Sequence, residues 1–550
     1  MPGGVRQAIR MRLLDGRMED REPMLGDITP HRLAETLSER IERLEVEFHR
    51  AYWDAQVKAT PENDRRRADL ELELRRVKGD PEALRAVNAA LGSELHDPVL
   101  RRRLELLRLS LVGNQMDESL RAEIVQLSTG VESDFANHRA TVAGKRVTDN
   151  EIESMLRTSD DEDLRRAAWE GSKEIGAIVA PRVRELARLR NSAALQLGFS
   201  DYYSMALELQ EMSEGWLFGV LDEVERLTEQ PFGSWKSELD ERLMERFKVS
   251  QLMPWHYADP FFQMLPPDGR VSVDHLLDGH SAPELASRTF SGWGIDLAGV
   301  LDASDLYPRE GKSQHAFCID VDRSGKDVRI LANVVPGERW IEIMLHESGH
   351  AAYDISIDSA LPYTLRRPSH TFTTEAMAIL SGRLVHDPRW LVDVAHANGT
   401  EVDALAEPLR RAAATQSLVF VRWALVVIHF ERDLYLDPES DLDARWWELV
   451  QRFQLVAPPA ERSAPDWAAK IHVAAAPAYY HNYLLGELLA SQIAATCERE
   501  CGGLVGNTNA GELLVDRLFH PGSLLRWDAL VEETTGRALA AADFAAGVGA

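Results

Sequence analysis

Residues 340–355 read WIEIMLHESGHAAYDI. The segment has no proline and reads as helix, so residues four apart lie on one face. His346 and His350 can therefore grip one ion together, with Glu347 beside them to polarise a water on that ion and take its proton. Neutral imidazoles suit zinc, whereas calcium and magnesium prefer oxygen ligands. The plain alternative is an ordinary helix with two histidines on one face, and the rest of the chain must decide between them.

A catalytic zinc needs a third protein ligand and an open position. Downstream, residues 361–384 read LPYTLRRPSHTFTTEAMAILSGRL and turn helical near Thr373. Glu375 is the one carboxylate in this apolar segment. Buried without a partner it would be costly, and metal coordination removes the cost. An exposed acid favoured by the helix dipole is the competing reading.

Residues 466–492, DWAAKIHVAAAPAYYHNYLLGELLASQ, set Lys470, His472, Tyr480 and Tyr483 into a small, apolar stretch. Tyr480 and Tyr483, three apart, share a helix face. A histidine and phenols near zinc can donate hydrogen bonds to a tetrahedral oxyanion, and a lysine can hold a carboxylate. By composition alone, packing tyrosines and a surface lysine explain the same residues.

Working back from the metal motif, HAFCIDVD (315–322) and VRILANVV (328–335) flank a turn-rich RSGKD, which predicts a β-hairpin with an unpaired outer edge. LMPWHYADPFFQMLPPDGR (252–270) lacks helical periodicity and reads as an ordered loop. From Thr29 to Gly198 the pattern is helix after helix. Thr29-Pro30 is a start signal, and Leu33, Leu37, Ile41, Leu44 and Phe48 recur at helical spacing. The alanine-rich tail beyond Ala538 is expected to be peripheral.

The 550 residues carry 62 basic and 89 acidic side chains, a net charge of −27 that repels phosphate backbones and argues against nucleic-acid binding. No run of about 18 apolar residues suggests a membrane span. Basic residues near the start are followed by no apolar block, so a cytoplasmic location is expected. Cys318, Cys497 and Cys501 cannot make a disulfide framework and read as reduced, structural thiols.

Taken in order, these segments resemble the peptidyl-dipeptidase A family, which includes angiotensin-converting enzyme. The resemblance rests on the HExxH helix, Leu361–Arg367, Glu375 and RWWELVQRFQLVAPP (445–459). It continues through Lys470-Ile471-His472-Val473 and the Tyr480/Tyr483 pair, with weaker similarity in LARLRNSAALQLGFSDYYSM (186–205). It implies a mainly α fold: a large helical ellipsoid with a deep central cleft and one small hairpin beside the zinc helix. Residues 29–550 would form one catalytic domain, and residues 1–28 an N-terminal extension with little order.

The resemblance further implies one zinc per chain, held by His346, His350 and Glu375, and release of C-terminal dipeptides from short peptides. Tyr483 and His472 would stabilise the oxyanion, while Lys470 and Tyr480 would bind the terminal carboxylate. His315 and Ala316 would pair with substrate backbone. There are departures. The His472–Tyr480 interval is one residue longer than in the animal enzymes. The family's carboxylate-binding glutamine has no counterpart in LMPWHYADPFFQ, where Tyr257 falls nearest. Ile379 stands where an acid usually follows the glutamate ligand. Tyr203, Val450 and Asn482 replace the arginines that hold chloride, so chloride is not expected as a partner. The alternatives are an endo-acting enzyme of the thimet oligopeptidase type and a catalytically idle peptide-binding relative. The complete set of ligands together with Glu347 argues against the latter.

Overall fold

The computed structural model describes residues 25–266, 271–460 and 462–549. The proposed extension lies outside them up to residue 24. From there the chain is ordered into a short turn at Leu25–Asp27 and a helix from Pro30.

Most of the chain is helical. Helices Pro30–Val57, Pro61–Lys78, Pro81–Leu91 and Pro98–Val112 share one local design, a Thr or Asp cap followed by proline at the first helical position. They bury a core of their own that includes Leu33, Leu37, Ile41, Leu104 and Leu111, apart from the main core of the molecule.

Among the described residues, two antiparallel two-stranded sheets occur. Ala140–Val142 (β1) pairs with Lys145–Val147 (β2), and Phe317–Asp320 (β3) pairs with Val328–Leu331 (β4). The first was not foreseen. Its two-residue turn, Ala143-Gly144, has positive φ at both positions, and an alanine there hides the usual Asn-Gly or Asp-Gly signature. The second is the expected hairpin, shorter than its sequence signal. Asp305 covers the far edge of β4, donating its N–H to the Ile330 carbonyl at 2.9 Å and accepting from the Ala332 N–H at 2.9 Å. Among the described residues no strand covers the outer edge of β3.

The N-terminal helices brace this hairpin. Phe317 stacks edge-on against Tyr52 and Trp53, with ring centroids at 5.5 and 6.0 Å. Glu45 is buried, which opposes its charge, but Arg323 at 2.8 Å and Lys78 hold its carboxyl down at about 2.

The loop before residue 266 is irregular yet buried, so its peptide groups need partners. Arg165 donates to the Trp255 and Tyr257 carbonyls at 2.8 and 2.9 Å. Lys173 donates to the Pro260 carbonyl at 2.8 Å, and Gln454 to those of Phe261 and Phe262 at 3.1 and 2.7 Å. The buried Asp259 carboxylate accepts from the N–H groups of Phe261, Gln263 and Met264. Gln263 is thereby held in place.

One expectation is corrected. The C-terminal tail is not peripheral: Ala542–Val548 is a helix whose Phe544 is buried in the main core. The helix Gly399–Leu436 is long and apolar enough to cross a membrane by length and composition, with an 18-residue window of mean hydropathy 1.5. That window is 67% buried inside the protein, as befits a core helix.

Candidate metal centre

Three helices meet through glycine. In Glu338–Ser356, Gly349 lies so close to the helix Thr371–Arg383 that a Cβ would stand 2.8 Å from both Ala378 Cα and the Met377 carbonyl oxygen. In His481–Cys501, a Cβ on Gly486 would be 3.2 Å from Glu375 Cβ. This close packing brings His346, His350 and Glu375 together, one ligand atom from each lying within 4.8 Å of the others.

The donor set fits a zinc ion. Burial lowers His346 to about 4 and, with His346 beside it, His350 to about 3, so both imidazoles are neutral and free to coordinate. The 3.9 Å approach of His346 Nε2 to Glu375 Oε2 is thus a spacing between two ligand atoms and not an ion pair. Glu375 is 7% exposed, its Oε1 accepts a hydrogen bond from the Tyr479 hydroxyl at 3.0 Å, and its Oε2 is buried without a partner. A buried carboxylate oxygen with nothing to bind is what a cation would resolve. His350 Nδ1 lies 2.7 Å from Thr374 Oγ1, which orients the ring and leaves Nε2 for the metal. Thr374 thus supplies second-layer support where Ile379 cannot.

Glu347 is 8% exposed on the same helix. Burial, and then the Glu375 charge, push it up to about 8, while the Cys318 backbone N–H of β3 pulls against them. A cation would offset both charges. β3 therefore lies against Glu347, with its outer edge toward the site.

The remaining expected residues gather here. Tyr483 is pushed up to about 12 by burial, with the Glu375 and Glu347 charges adding to the rise. His472 is lowered to about 4 by burial, then by Lys470 and His315, so it is a neutral imidazole with both basic groups nearby. Its ring centroid lies 5.3 Å from that of Tyr480 and 6.3 Å from that of Tyr483. His315 is exposed and Ala316 half-buried, just ahead of β3. The Tyr480 hydroxyl accepts from Trp423 Nε1 at 2.7 Å, which leaves its own proton free to donate. Lys470 is lowered to about 8 by burial, against the pull of Asp259 and Glu153.

Three residues escaped sequence reasoning. Lys470 Nζ donates to Gln263 Oε1 at 2.8 Å, so a glutamine does stand beside the lysine, six positions beyond Tyr257. Tyr479 falls inside the lengthened His472–Tyr480 interval, whose extra residue was the available signal. Thr374, next to Glu375, had none.

Comparison with known proteins finds two peptidase families. Residues 29–230 match the family described as angiotensin-converting enzyme, and residues 303–550 match peptidase family M3. Angiotensin-converting enzyme of Theromyzon tessulatum is 24% identical over 226 residues, covering 38% of this chain and 36% of that protein. The chain thus aligns with little more than a third of that relative's length.

Proposed function

Because the chain belongs with the angiotensin-converting-enzyme-like zinc metallopeptidases, we propose that it hydrolyses short peptides near their C-terminus and releases dipeptides. The observation that carries this reading is the Lys470–Gln263 pair beside Tyr480, a cationic and amide donor set suited to a terminal carboxylate. It lies close to the metal residues through phenol rings that meet edge-on, Tyr480 to Tyr483 at 5.5 Å and Tyr483 to Tyr479 at 5.3 Å, and through the Tyr479 hydroxyl on Glu375. Two residues of extended peptide span about 7 Å.

When bound by His346, His350 and Glu375, zinc supplies Lewis-acid activation of water and of the scissile carbonyl. Glu347, nearly buried beside the metal residues, takes the proton of the attacking water and passes it to the leaving amine. Tyr483 and the neutral His472 donate to the oxygen that becomes negative in the transition state. The open edge of β3, with His315 and Ala316 ahead of it, aligns the substrate backbone by strand addition. Three free thiols, Cys318, Cys497 and Cys501, favour a reducing, cytoplasmic setting.

The match of residues 303–550 to peptidase family M3 favours a second reading, internal cleavage by an oligopeptidase. Mass spectrometry of a free-acid peptide mixture, digested with and without a chelator, separates the two. C-terminal dipeptides lost on chelation support the proposal, and internal fragments overturn it.

A further inference from the structure

The residues that deliver Tyr479 to the metal centre are unusual for their surroundings. Glu431 lies on the apolar helix Gly399–Leu436 and is 2% exposed. Its Oε1 accepts the Ala478 N–H at 2.9 Å. Ala478 has φ +52°, a left-handed conformation that a residue with a side chain adopts only when its surroundings impose it. The Ala478 carbonyl accepts from Gln210 Nε2 at 3.4 Å, and the Tyr479 carbonyl accepts from the Asn482 N–H at 2.9 Å. The backbone is thus pinned on both sides of the Ala478–Tyr479 peptide, and the Tyr479 hydroxyl points to Glu375 Oε1.

An acid in the core with one backbone partner is a poor stabilising device, because its desolvation outweighs one hydrogen bond. Its use lies in fixing the turn that carries Tyr479. We propose that Glu431, the left-handed Ala478 and Tyr479 form a positioning relay that occupies Glu375 Oε1 and so presents Oε2 alone to the metal. The inference rests on the zinc-peptidase reading above. It adds two positioning residues, Glu431 and Tyr479, which act through Glu375 and not on substrate. Groups that orient metal ligands in this way change metal affinity by about 10–100-fold.

The test is competition for zinc between the purified full chain and a chromophoric chelator, with kcat and KM measured at saturating zinc. Tyr479→Phe, which removes only the hydroxyl, is expected to weaken zinc binding about tenfold or more and to lower kcat with KM unchanged, while the metal-free chain melts as wild type does. Glu431→Leu is expected to cause the same loss, and Glu431→Gln, which keeps an acceptor oxygen, to restore most of it. The double variant Glu431→Leu/Tyr479→Phe should lose no more than Tyr479→Phe alone, because the two act in series. Zinc affinity within twofold of wild type in Tyr479→Phe overturns the relay even if Glu431→Leu fails to fold. Additive losses in the double variant overturn the link to Glu431. A wild-type chain that takes up no zinc overturns the relay and the peptidase reading together. A wild type that binds zinc and cleaves peptides, beside an unaffected Tyr479→Phe, overturns the relay alone.

Discussion

Lys470 and Gln263, 207 positions apart in the chain, meet through a 2.8 Å hydrogen bond from the ammonium to the amide oxygen. The amide nitrogen of Gln263 and two protons of Lys470 remain to meet a carboxylate. Amidating the C-terminus of a peptide substrate should therefore cost about 1.5–3 kcal/mol in kcat/KM, the scale of a hydrogen bond to a charged group. Gln263→Ala should raise KM for the free acid and narrow the gap between the two substrates. Equal cleavage of free-acid and amidated peptides by the wild type would favour the endo-acting alternative.

Glu347 and Glu375 should separate chemistry from metal binding. Glu347→Gln keeps the three ligands, so zinc content should stay near one per chain while turnover falls by several orders of magnitude. Glu375→Gln replaces a charged ligand and should lose zinc itself. Metal analysis beside a peptide assay checks both, and zinc loss in Glu347→Gln would mean that the acid is a ligand.

Gly349→Ala should damage both stability and the metal centre. The new methyl would meet Ala378 Cα and the Met377 carbonyl oxygen at 2.8 Å, both of them backbone atoms of a packed helix. Forcing the helices apart should cost about 1–3 kcal/mol and spread His346 and His350 from Glu375. Thermal melting and zinc affinity should fall together.

Glu431 predicts a pH dependence of stability. Burial raises it from 4.5 to about 8, against the Ala478 N–H and Arg190; Tyr202, Tyr203 and Tyr435 also face it. The folded chain holds a proton that the unfolded chain releases above the ordinary carboxyl range. Its contribution is therefore complete below about pH 4.5 and is lost as pH rises through about 8. Glu431→Gln removes this ionisation, so its stability relative to wild type should improve by a few kcal/mol between pH 5 and pH 8.5. Denaturant melts at the two pH values check it, and a constant difference would mean that Glu431 does not titrate there.

Chloride should not activate the enzyme. A buried halide needs fixed positive charge. Tyr203 and Asn482 are buried and uncharged, and Val450 is apolar. Exchanging chloride for acetate at constant ionic strength should leave the rate unchanged, and a several-fold rise on adding chloride would mean that a halide site exists.

Helical spacing alone puts His346, Glu347 and His350 on one turn-and-a-quarter of helix, because the i, i+4 relation is a property of the backbone and needs no tertiary partner. The capped starts at Thr29, Thr60, Asp80 and Asp97 are local in the same sense, and so is the β3–β4 hairpin with its Gly325 turn. Glu375 stood out because a lone carboxylate in an apolar segment demands a partner, whereas Lys470, His472 and Tyr483 were singled out by the family resemblance, composition alone explaining them equally as packing and surface residues. Other features depended on packing. Gln263 reaches Lys470 because Asp259, Lys173 and Gln454 seize the peptide groups of an irregular loop. Tyr479 rather than Tyr480 reaches Glu375 because Glu431 and Gln210 hold Ala478 in a left-handed turn. Neighbours along a chain are constrained by covalent geometry, whereas residues hundreds of positions apart meet only where buried donors and acceptors have no water to satisfy them and must find one another.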